Sequence, residues 1–99
     1  MKEIDKIIEK LKQLKPEIEK RYKIAEIGVF GSYVRDEQTE NSDLDVLVSF
    51  SEDSSMSLLK FCSFENWLSD VMEKKVDLVM KNSLKSRIGK QILSEVIYL

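Results

Sequence analysis

FGSYVRDEQTENSDLDVLVSF, residues 30–50, carries Gly31-Ser32 at the end of an apolar run and Asp43-Leu44-Asp45 after ten intervening residues. From Asp43 onward, Leu44, Val46 and Val48 alternate with Asp43, Asp45 and Leu47, which predicts a strand from Asp43 to Phe50 whose first half is acidic on one face. Side chains two apart on a strand point the same way, with Cα atoms roughly 6.5–7 Å apart, so Asp43 and Asp45 can share one metal ion or bridge two. Upstream, Ile24, Ile27, Val29 and Phe30 run without a breaker until Gly31, predicting a mostly buried strand from Ile24 to Phe30. Gly31, without a Cβ, lets a phosphate approach the backbone. Ser32 offers a hydroxyl and reads as the N-cap of a short helix through Val34, Arg35 and Asp36, whose first amides point outward. Arg35, a turn further on, can meet a phosphate oxygen or pair with a neighbouring acid.

Outward from this segment the pattern is mostly helical. Ile4, Ile7, Ile8, Leu11 and Leu14 form the stripe of an amphipathic helix from Met1 to Leu14, which Pro16 is expected to end or kink, with one more turn through Arg21. After the solvated loop Ser51 to Ser57, a helix is predicted from Leu58 to about Lys75. Its main stripe is Leu58, Phe61, Cys62, Leu68 and Met72. A second apolar line, Phe64, Trp67 and Val71, reads either as core or as a contact with another copy or a partner. Val76 to Met80 is a third short strand carrying Asp77 between Val76 and Leu78. Asn82 and Ser83 then mark the start of a final helix through Leu84, Ile88, Ile92, Leu93, Val96 and Leu99. The expected architecture is α/β (α+β), a small mixed sheet of about three strands with helices packed on it, forming one domain over residues 1–99.

Composition narrows the function classes. Sixteen Lys and Arg against eighteen Asp and Glu leave a net charge of −2, so no global positive field draws in a nucleic-acid backbone, and no direct nucleic-acid contact is expected. Cys62 is the single cysteine, and MKEIDKIIEKLKQLK lacks the apolar stretch of a secretion signal. No apolar run approaches membrane-spanning length, and a cytoplasmic location is expected. Histidine is absent, which leaves carboxylates as ligands suited to hard cations such as Mg²⁺.

Asp43 and Asp45 beside a phosphate-accepting turn suit phosphoryl or nucleotidyl transfer, which often uses two divalent ions about 3.5–4 Å apart. A third carboxylate usually completes such a site, and Asp77 is the candidate because an acid between Val76 and Leu78 is poorly explained as ordinary surface. Each feature alone has a plain structural reading: a turn, a solvated strand end, an edge-strand charge, a surface ion pair. Together they point to one reaction.

The segment resembles the nucleotidyltransferase signature of the DNA polymerase β superfamily, in its minimal nucleotidyltransferase (MNT) branch, and the order of elements agrees over essentially the whole chain. The resemblance implies that Gly31 and Ser32 hold the β- and γ-phosphates of ATP, that Asp43, Asp45 and Asp77 ligate Mg²⁺ with Asp77 near the acceptor hydroxyl, and that Arg35 is the family's frequent basic residue after Gly-Ser. Where many members have Ala-Arg-Gly, this chain has Val34-Arg35-Asp36, which sets an acid beside the nucleotide loop. Many minimal members resemble antitoxins that silence a HEPN-type ribonuclease toxin by transferring AMP from ATP to its tyrosine. The expected function is the same, with neutralisation by binding alone, or transfer to a small molecule alongside a helical subunit, as alternatives.

Overall fold

A computed structural model describes residues 2–99, so the predicted helical position of Met1 lies outside the described residues. Three strands fall where the alternation places them or within one residue: β1 Ile24–Phe30, β2 Leu44–Phe50 and β3 Val76–Met80. β1 pairs antiparallel with β2, and β2 pairs parallel with β3. A parallel neighbour needs a long crossover, which the second helix, α2 (Leu58–Met72), provides. Ser57 caps α2 by accepting from the Lys60 amide, and Glu73, in the left-handed region at φ 56°, ends it.

A fourth strand was not expected. The final helix, α3, runs only from Ser86 to Glu95, after a 3₁₀ turn at Lys81–Ser83, and Ile97–Tyr98 forms β4. β4 pairs with β1 at Gly28 and Val29, giving the sheet order β3-β2-β1-β4. The helical stripe fails at Val96 because β1 has an open edge there, and the β-branched pair Val96-Ile97 suits the extended chain that fills it. Gly28 admits the strand: a Cβ there would stand 2.8 Å from Val96 Cγ2 and 2.9 Å from the Ile97 carbonyl oxygen.

The first helix, α1, is continuous from Glu3 to Tyr22 with Pro16 inside it, so the helix does not end there. An interior proline removes one hydrogen bond and costs about 3 kcal/mol. Ile18 and Tyr22 extend the stripe Ile4, Ile7, Leu11 beyond Pro16 and are buried, while the ring itself faces outward. Burying two large side chains offsets a cost of that size.

The core joins Ile4, Ile7, Leu11 and Ile18 of α1, Leu44, Val46 and Val48 of β2, and Phe64, Leu68 and Met72 of α2. On α2 the expected stripe holds at Leu68 and Met72, with Phe61 packed against the core, and fails at Leu58 and Cys62. Phe64 is fully enclosed and stacks on Tyr22 at 4.2 Å, with Trp67 and Val71 packed beside it, whereas Leu58 is 80% exposed and Cys62 is also exposed. Cys62 and Phe64 are two residues apart, roughly 200° around a helix, so both cannot face the core. Because Phe64 lies inside its own chain, any contact between copies through the second line would rest on Trp67 and Val71. Among the described residues no helix is long and apolar enough to cross a membrane.

Candidate active site

With Leu44, Val46 and Val48 committed to the helix-covered face of β2, Asp45 emerges on the opposite face. Its neighbours are set by register. On one side lies Phe30, the last residue of β1, and on the other lies Asp77 of β3. The chain turns immediately after Phe30 at Gly31, whose φ of +85° favours glycine. A second constraint acts there, because a Cβ on Gly31 would collide with Asp45 Oδ2. The predicted phosphate turn and the predicted metal ligand are therefore in contact, and glycine is what permits it.

The predicted short helix at Ser32 does not form. The Val34 and Arg35 amides donate to the Gly31 carbonyl at 3.0 and 3.2 Å, the Asp36 amide to Tyr33 at 3.3 Å, and Asp36 adopts φ 60°. That left-handed residue ends the turn before a helix propagates. The loop returns through Thr39, whose amide donates to Ser42 Oγ at 2.9 Å, and Asp43 follows directly. The Leu44 amide donates to the Lys75 carbonyl at 2.8 Å, tying the start of β2 to the entry of β3. A cleft of about 510 Å³ opens beside Asp43, lined in part by Tyr33, Ser42, Lys74 and Lys75.

The three predicted acids act on one another. Burial, then the charges of Asp77 and Asp43, push the Asp45 carboxyl up to about 6. Asp77 presents an exposed surface, yet its carboxyl is also pushed up, first by partial desolvation where it stands on the sheet, then by Glu65 and Asp43. Among the described residues no three acids close into a metal cage. Asp45 and Asp77, opposite each other across β2 and β3, are nonetheless oxygen donors of the kind Mg²⁺ takes, one or two at a time, beside water and phosphate oxygens. The donor set fits such an ion, since the acids are hard oxygen ligands whose mutual repulsion a divalent cation relieves.

Arg35 pairs with an acid that the sequence reading did not connect to the site. Its Nη1 donates to both oxygens of Glu95, at 3.0 and 2.9 Å, and its Nε donates to Glu37 at 3.2 Å. Glu95 Oε1 also accepts from the Gly31 amide at 2.9 Å. A usable signal was present: Glu95 ends α3, where a negative charge opposes the helix dipole by about 0.3–1 kcal/mol and calls for a cation.

Two more missed residues hold Asp77. β3 is an edge strand, so the amides on either side of Asp77 point away from β2. The Val76 amide donates to Ser69 Oγ at 3.0 Å and the Leu78 amide to Glu65 Oε2 at 2.8 Å, both from α2. Glu65 and Ser69 are four apart on α2, a spacing that puts two polar groups on one side of a helix.

Comparison with known proteins shows the family and the fold. The chain matches the nucleotidyltransferase domain model over residues 4–99. It is 45% identical over 100 residues to "Putative protein adenylyltransferase MJ0126" of Methanocaldococcus jannaschii, covering the whole of both chains. To "Protein adenylyltransferase MntA" of Thermococcus cleftensis it is 54% identical over 84 residues, covering 85% of this chain and 83% of that one. The fold also matches a solved structure, "Crystal structure of the toxin-antitoxin with AMP-PNP", with a TM-score of 0.72 at 23% identity, covering 91% of this chain and 69% of that one.

Proposed function

This chain belongs to the nucleotidyltransferase domain family, and from that premise we propose that it transfers AMP from ATP, with Mg²⁺, to a tyrosine hydroxyl of a partner HEPN-type toxin and so acts as an antitoxin. The observation that carries the reading is the placement of Asp45 between the Gly31 turn and Asp77. It sets phosphate-binding groups, metal-binding groups and a candidate base side by side.

In this reading the Gly31 turn receives the β- and γ-phosphates on the Ser32 hydroxyl and the Ser32 and Tyr33 amides, since the turn's internal hydrogen bonds begin only at Val34. Asp43, Asp45 and Asp77 would hold the metal, closing together only when the cation relieves their repulsion. When bound, Mg²⁺ supplies Lewis-acid stabilisation of the charge on the phosphates. Asp77 faces the acceptor. Its carboxylate is the candidate base, taking the hydroxyl proton as the oxygen bonds to the α-phosphorus and pyrophosphate leaves.

We infer a protein acceptor, met in the cytoplasm. The name of the Thermococcus relative, MntA, and the toxin-antitoxin complex that shares the fold support this choice. So do Leu58 and Leu59, each 80% exposed, as apolar surface available to a partner.

The test combines the chain, its partner toxin, Mg²⁺ and ATP labelled on the α-phosphate. Label is expected on a toxin tyrosine, and D43N/D45N is expected to abolish it. No transfer in a mixture that binds both ligands overturns the reading. If D43N/D45N protects against the toxin as well as the parent, neutralisation is by binding alone. Label appearing only on a small hydroxylated acceptor favours the third reading.

A further inference from the structure

We propose that Glu95 is a positioning residue that clasps the phosphate-binding turn, and that Arg35 serves the nucleotide through Glu95 rather than by contacting phosphate. The inference rests on the reading of Gly31-Ser32 as the nucleotide turn.

Three contacts converge on this one carboxylate. Oε1 accepts from the Gly31 amide at 2.9 Å and from Arg35 Nη1 at 3.0 Å, and Oε2 accepts from the same nitrogen at 2.9 Å. Gly31 opens the turn and Arg35 lies at its far side, where its own amide bonds back to the Gly31 carbonyl. A single anion thus spans the turn from outside. The Glu95 side chain is 19% exposed against 43% for Arg35, so the carboxylate is the enclosed partner. Its backbone is anchored too. Val96 packs over Gly28 and Ile97 pairs with Val29, so the residues after Glu95 are fixed to the same strand that leads into the turn.

Charge-assisted hydrogen bonds to a partly enclosed carboxylate are the stronger class of such contacts. They commit the Gly31 amide and the Arg35 guanidinium to protein, leaving Ser32 and the Tyr33 amide to meet the phosphates. The competing reading is that Glu95 is a stand-in anion occupying the phosphate's place until nucleotide expels it. The two readings differ in sign. A clasp, once removed, loosens the turn and weakens nucleotide binding; a stand-in, once removed, strengthens it.

Calorimetric titration of the full-length chain with AMP-PNP and Mg²⁺ separates them, using E95Q, R35M and the double variant. Each single variant is expected to weaken binding by about tenfold, the loss of one strong contact, and the double variant by no more than the worse single. In turnover, KM for ATP is expected to rise more than kcat falls. Tighter binding by E95Q overturns the proposal in favour of the stand-in. Losses that multiply in the double variant overturn it by giving Arg35 its own contact with nucleotide.

Hydrogen exchange at the Gly31 amide reads the clasp without nucleotide. Protection is expected in the parent and about a tenfold loss in E95A, with other β1 amides unchanged. Unchanged exchange in E95A overturns the clasp. If the parent binds no AMP-PNP but E95A still releases the Gly31 amide, the clasp stands and the nucleotidyl-transfer reading fails.

Discussion

Asp45 and Asp77 stand directly opposite each other in the parallel register of β2 and β3. Like charges in this arrangement are destabilising; burial first, then the charges of Asp77 and Asp43, push the Asp45 carboxyl from 3.8 up to about 6. Between those two values the folded chain binds more protons than the unfolded chain, so this contribution to stability falls as pH rises through the window and stays low above it. Asp77 acts with the same sign. Glu3, Glu26 and Asp53, whose carboxyls lie below the ordinary range beside Lys74, Lys81 and the Ser51-Lys23 pair, act with the opposite sign. The difference between D45N and the parent therefore isolates Asp45. In metal-free buffer D45N is expected to melt about 4 °C higher at pH 7.5, with the gain disappearing by pH 4. Asp45 is half-open to solvent, which keeps the gain modest.

Divalent metal should remove the same repulsion. Adding Mg²⁺ at pH 7.5 at about ten times its dissociation constant is expected to stabilise the parent by roughly 1.4 kcal/mol in a thermal melt. The D45N and D77N variants should lose most of that increment. An equal increment in all three would place the ion elsewhere.

Gly31→Ala meets two obstacles at once, a positive φ and the carboxylate of Asp45. A loss of about 1–3 kcal/mol in urea unfolding is expected, with adenylyl transfer falling more steeply than stability because Asp45 must move.

The capped edge of β3 predicts a graded series. Ser69→Ala leaves the Val76 amide without its partner, and Glu65→Ala does the same to Leu78, each at about 1–3 kcal/mol. Glu65→Gln keeps an acceptor and should preserve stability. It removes a charge that raises the Asp77 carboxyl, so the Asp77 titration should move down, which carbonyl-carbon NMR can follow.

Phe64→Ala should cost about 3–5 kcal/mol, a large share of the stability of a domain this size, because the ring is fully enclosed and stacked on Tyr22. Cys62→Ser, two residues away, should be nearly silent in the same denaturant titration, since Cys62 is exposed.

The strands were legible in the sequence because a strand's alternation is local: Leu44, Val46 and Val48 announce β2 without reference to anything distant. Gly31-Ser32 and Asp43-Leu44-Asp45 were legible for the same reason, as short patterns whose chemistry follows from neighbouring residues. Pro16 and the stripe of α2 were misread where local signals competed. Pro16 opposes a helix that Ile18 and Tyr22 sustain by burial, and α2 offers two apolar lines whose choice is made by Tyr22, a residue of α1.

Local patterns along the chain reveal β1, β2, β3 and the long helices, and the chemical kinds of group available: a glycine turn, three acids, no histidine. Which of these groups meet is set by how the folded chain brings distant segments together. Asp45 lies against Gly31 and opposite Asp77 through strand register, the backbone around Asp77 is held by Glu65 and Ser69 from another element, and Arg35 is claimed by Glu95, 60 residues away in sequence. The physical reason is that pairing across a sheet depends on contacts between distant segments, and β4, only two residues long, exists because β1 has an open edge that Gly28 leaves room to fill.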